Sequence, residues 1–104
     1  MYLLGAIPEG VEVAVFPIDL LLEKAKYLIE IEDRIPPGFF IDRRLIFEKA
    51  IQFFLGLKKW KAEGVTNVQM IYEANTPRSI HDPFREYYIW IERLHSLKTI
   101  IPLK

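Results

Sequence analysis

The 104-residue chain has no cysteine and only two histidines, and its fourteen basic residues are matched by fourteen acidic ones. Each shortage removes a class of protein. Without cysteine there are no disulfides, no thiolate nucleophile and no cysteine-ligated zinc. A formal net charge of zero withholds the positive field that nucleic acid or an anionic membrane attracts. It also leaves little repulsion between copies of the chain. No apolar run approaches the ~20 residues that span a bilayer. The opening "MYLLGAIPEG" has no basic leader and meets Pro8 after a short apolar run, so it does not read as a signal peptide. These absences point to a soluble cytoplasmic protein with no membrane partner.

What is present is apolar: 51% of the residues, enough for one core without staples. The length suits a single compact domain over 1–104. Two short β-prone runs, 2–7 and 11–16, flank the turn-forming "PEG" and suggest a hairpin. In the second run Val11, Val13 and Val15 share one face, and Glu12, Ala14 and Phe16 the other. Helical spacing then covers 17–33, with Ile18, Leu21, Leu22, Ala25, Leu28 and Ile29 on one side. "RIPPGFFID" breaks that helix. Asp42 caps the next, over 42–63, which stops at Gly64. Residues 65–73 alternate as a strand. Asp82-Pro83 is a helix start, and 83–98 reads as a third helix with Phe84, Tyr87, Tyr88, Ile91 and Leu94 inward, His95 beside them, and Ile89 and Trp90 outward. The competing reading makes "YYIWI" part of a strand over 86–94 and enlarges the sheet. Either way the class is α+β, here with about three helices and a small sheet.

The stretch "IHDPFREYYIWIERLH" contains both histidines, yet His81 and His95 stand about 21 Å apart along a helix and cannot share a metal or a dyad. Glu92 and His95 have the Glu-x-x-His spacing of carboxylate-bridged di-iron bundles, but such a site needs a second pair and two further glutamates from facing helices. The chain has only one such pair, and a symmetric dimer would have to supply the rest. Ser79 and Ser96 lack a base–orienter pair or a glycine-rich elbow. No catalytic residue, metal site or cofactor is assigned.

"LKKWK" sets Lys58, Lys59 and Lys61 around Trp60, a combination that can suit phosphates and stacked bases. On a helix those lysines diverge by roughly 100° or more, as Arg43 and Arg44 do at its other end. A groove-reading helix gathers its cations on one side. A winged-helix-like nucleic-acid binder is therefore the alternative reading.

The strongest feature is surplus apolar surface. In the second helix Ile46, Ala50, Phe53, Leu57 and Trp60 make one stripe, and Phe47, Ile51, Leu55 and Ala62 a second, rotated by more than a quarter turn. The first helix has a rear stripe of Leu20, Tyr27 and Ile31. Monomers seldom leave such patches contiguous. The sequence thus reads as a binding or assembly module. Its partner is a second copy of itself or another protein, met through Phe47, Ile51 and Leu55 or Leu20, Tyr27 and Ile31, with Trp90 nearby. Nucleic acid, through Arg43, Arg44, Lys58, Lys59 and Lys61, is the less favoured partner, and a small enzyme with an unrecognised site comes third. The abundance of isoleucine, glutamate and lysine without cysteine fits a thermophilic origin.

Overall fold

Val68, Met70 and Tyr72 alternate with Asn67, Gln69 and Ile71, and only the first row is sealed from water. The rest of the fold is arranged around that difference. The computed structural model describes residues 9–34, 43–73 and 84–104. In chain order these form β1 (Val11–Pro17), α1 (Ile18–Glu30), a 3-10 turn (Glu32–Arg34), α2 (Arg43–Ala62), β2 (Asn67–Glu73), α3 (Arg85–His95) and β3 (Leu97–Leu103). The strands lie in the order β1-β2-β3, each antiparallel to its neighbour. Three helices and a three-stranded antiparallel sheet make the α+β arrangement.

All three helices bury their apolar sides in one core with the inner row of β2. Ile18, Leu21, Ala25 and Leu28 come from α1, Ile46, Ala50 and Leu57 from α2, and Tyr87, Tyr88, Trp90, Ile91 and Leu94 from α3. The joints between layers are short. Pro17 ends β1, and α1 starts at the next residue, its Ile18 N–H donating to the Thr66 carbonyl at 3.0 Å. At the end of α2, Gly64 takes a φ of 92°, which side-chain-bearing residues avoid. There the Gly64 N–H donates to the Lys61 carbonyl at 3.1 Å and the Val65 N–H to the Trp60 carbonyl at 3.0 Å. This is a Schellman closure, and it turns buried Val65 back under the helix. Ser96 alone separates α3 from β3. Its N–H and its hydroxyl both donate to the Glu92 carbonyl, at 2.9 and 2.7 Å, and its Oγ accepts the Glu73 N–H at 3.3 Å.

Several expectations change. The helix expected over 83–98 closes at His95, and Leu97–Leu103 is a strand that periodicity did not reveal. Pro102 inside that run argued against a strand, but β3 pairs only with β2 among the described residues, and a proline is tolerated at a sheet edge. The strand alternative for 86–94 fails because helical spacing buries Tyr87, Tyr88, Trp90, Ile91 and Leu94 together. Trp90 points into the core rather than outward, 5% exposed. His95 is exposed, being the last helical residue before the chain turns into β3. The run 2–7, His81 and the Asp82-Pro83 start lie outside the described residues.

Truncating Met70 to alanine should cost about 2–5 kcal/mol, because a fully buried side chain leaves a cavity. Ile71→Ala, one residue along on the other face, should cost about 1 kcal/mol or less. Urea unfolding of dilute protein measures both; equal losses would contradict the facing described.

Candidate functional site

The outer face of the sheet follows from the pairing. Val15 lies opposite Gln69, and Gln69 opposite Ile101; Val13, Ile71 and Thr99 form the next row. Val11 pairs with Glu73 at one end, and Asn67 with Leu103 at the other. Since Val68, Met70 and Tyr72 point toward the helices, these rows point away. An antiparallel sheet with one solvated face normally sets polar side chains there. Here Val11, Val13, Val15, Ile71, Ile101 and Leu103 occupy it, interrupted by the uncharged Gln69, Thr99 and Asn67. Val15 is 54% exposed and the other five are half-buried. Among the described residues only Glu73, at one end, puts a charge on this face, and Lys98 Nζ sits 3.7 Å from it. Lys98 is the extra residue where Ile71 pairs with Thr99 but Tyr72 with Leu97. That bulge delivers a cation to the corner of the sheet.

The structure separates the helix-face residues singled out from the sequence. Trp90 is core, and Tyr27 and Ile31 pack against the core. Leu20, Phe47 and Ile51 are half-buried, while Leu55 is 55% exposed. The second stripe of α2 is therefore only partly free, and the rear stripe of α1 is largely spent inside. The sheet face was missed because the valine row on β1 could be read toward either side. Phe16 decides it, packing its ring 5.3 Å from that of Trp90.

A second concavity lies between α2, α3 and β3, a groove of about 540 Å³ walled by Phe53, Trp60, Leu94, Leu97 and Ile100 and rimmed by Lys49.

Beside Trp90 an arginine completes the core edge. The Arg93 guanidinium lies 4.7 Å from the Trp90 ring, 5.3 Å from Tyr72 and 5.7 Å from Phe16. A weakly hydrated planar cation stacks well on such faces. Burial holds the Tyr72 phenol above its ordinary value; the Arg93 charge opposes this, while Glu12, its cross-strand neighbour, adds to it and accepts its hydrogen bond. Tyr27 is raised first by burial and then by the charge of Glu86, against Lys24. Lys24 is raised chiefly by its hydrogen bond to Glu86, against desolvation, in an ion pair that ties α1 to α3.

Lys58 and Lys61 meet Lys26 in one concavity, which Asp19 and Glu23 share, so the cations there are offset by carboxylates. Lys61 pairs with Asp19 at 2.6 Å, Arg44 with Glu48 at 3.8 Å, and Lys58 lies over the Phe54 ring at 5.4 Å. Lys59 is exposed on the opposite flank of α2, and of Arg43 only the backbone is described. Glu92 and His95 acquire no third ligand: no group of three histidine or carboxylate side chains placed to hold a metal occurs among the described residues. No described helix is long and apolar enough to cross a membrane. Comparison with known protein families, curated proteins and solved structures gives no match.

The three raised groups, Tyr72, Tyr27 and Lys24, set an alkaline limit. A raised pKa contributes stability that is complete below the unfolded value, near 10–10.5, and is lost as pH climbs through the folded value. Through these groups stability should be flat across neutral pH and fall above about pH 10. Tyr72→Phe should soften that fall, as read by urea unfolding at a series of pH values. An unchanged alkaline slope in the variant would remove Tyr72 from the account.

Proposed function

We infer that this protein is a small assembly module that pairs with a second copy of itself through the open face of its sheet. The observation that carries this reading is the uncharged, apolar row set of Val13, Val15, Ile71 and Ile101 on the side away from the helices. A two-fold interface must suit its own image, so a patch with a strong charge of one sign would repel itself. This patch has no charge at its centre, and the chain has no net charge to oppose approach.

Magnitudes bound the strength. Each of these side chains has about 1 kcal/mol left to gain on full burial, so six from each of two copies contribute roughly 12 kcal/mol. Association costs about 4–15 kcal/mol in lost freedom. A three-stranded face is also narrow, about 14 Å by 24 Å, well under the ~800 Å² per partner of a standard interface. The dimer is accordingly reversible, with a dissociation constant weaker than about 1 μM.

Sedimentation should show a monomer–dimer equilibrium over micromolar to millimolar protein. Ile71→Lys, which puts an unpaired charge into the dry centre, should yield folded monomer. Leu55→Lys, on the helix side, should dimerise as the parent does. Dissociation by Leu55→Lys and not by Ile71→Lys would move the interface to α2. A parent that stays monomeric throughout would end the reading.

A further inference from the structure

The α2–β3 groove is not needed for the sheet-face pairing, and one residue in it is not needed for the monomer either. Gly56 sits in the middle of α2 with no positive φ, and a Cβ built on it meets no atom within 4 Å. Alanine there would fit and would favour the helix, because glycine pays more backbone entropy than any other residue. The packing of the described residues gives no reason for glycine at this place. What the missing side chain does is keep the floor of the groove open along the helix backbone.

The groove has the size and lining of a ligand site. Its volume of about 540 Å³ falls within the ~300–1,000 Å³ usual for small-molecule pockets. Phe53, Trp60, Leu94 and Ile100 make its walls apolar, and Lys49 stands on its rim. From Lys49 to Trp60 the helix advances about 16 Å, with Gly56 between them, so the groove is long rather than round. Its charges are unequal. Glu48, also on the rim, has Arg44 at 3.8 Å, whereas Lys49 has no ion-pair partner among the described residues.

We propose that this groove binds a linear amphipathic carboxylate, its alkyl chain lying over Gly56 toward Trp60 and its carboxylate on the Lys49 ammonium. A chain on the order of ten carbons matches the distance from Lys49 to Trp60. Lys49, unpaired on the rim among the described residues, selects an anionic head over a cationic one, and apart from the Gln52 amide the walls beyond the rim are apolar.

The test titrates dodecanoate, below its micelle-forming concentration, into the full chain by calorimetry and by tryptophan emission, with Trp60 as reporter. Saturable one-to-one binding is expected with a dissociation constant of about 10–100 μM, and dodecyltrimethylammonium should bind at least about tenfold more weakly. Gly56→Leu should abolish binding while circular dichroism keeps the parent's helical signal. Gly56→Ala, which helix propensity favours, should weaken binding without loss of stability and so separates filling of the groove from misfolding. Lys49→Gln should weaken dodecanoate about tenfold and leave dodecanol unaffected. Absence of saturation up to about 1 mM, binding that survives Gly56→Leu, or equal affinity for both head groups would each overturn the proposal. None of these outcomes depends on whether the sheet face dimerises.

Discussion

The alternation along β2 is the constraint on which the rest of this structure depends. A strand turns successive side chains to opposite faces, and β2 gives one face Val68, Met70 and Tyr72, all of them 1% exposed or less. Three helices cover that face. With all three on one side, no described element covers the second face of the sheet, which is left to whatever β1, β2 and β3 happen to carry there. They carry valines and isoleucines. An open apolar face is thus the direct consequence of where the helices went.

What fixes the helices there is a set of local closures at the ends of elements. The Schellman turn at Gly64 brings α2 into β2, the Ile18–Thr66 hydrogen bond holds α1 at the start of that strand, and Ser96 joins α3 directly to β3. The aromatic edge of the core is closed by Arg93 against Trp90, Tyr72 and Phe16. The cation–π contacts hold a charged group at the margin of an apolar layer. They also explain why Trp90 is unavailable to a partner.

The helices were legible in the sequence because each carries its own periodic stripe and, for α2, an unmistakable stop at Gly64. The 11–16 and 65–73 strands were legible for the same local reason. The final strand was not. Leu97–Leu103 owes its state to pairing with β2, a tertiary effect, and its proline disguised it. The candidate surfaces divide along the same line. Helical stripes at Phe47, Ile51 and Leu55 could be counted from spacing, but which of them the core consumes depends on how helices pack. The sheet face needed the register, since Val11, Val13 and Val15 form a row on any strand and only Phe16 and its partner Trp90 decide which way that row points. Arg93 left one faint signal, its place three residues after Trp90, within reach on a helix.

The claim that the uncovered sheet face is the contact between copies can be tested most directly by distance, and the cysteine-free chain makes that simple. Gln69 lies on the central strand at the middle of the face, and Glu30 is exposed on α1. Packed sheets stand about 10 Å apart, a gap that a short bismaleimide spans. Treated with that reagent at a protein concentration where dimer is populated, Gln69→Cys should give covalent dimer in high yield and Glu30→Cys only traces. Equal cross-linking of the two variants, or efficient linkage through Glu30→Cys alone, would contradict the account.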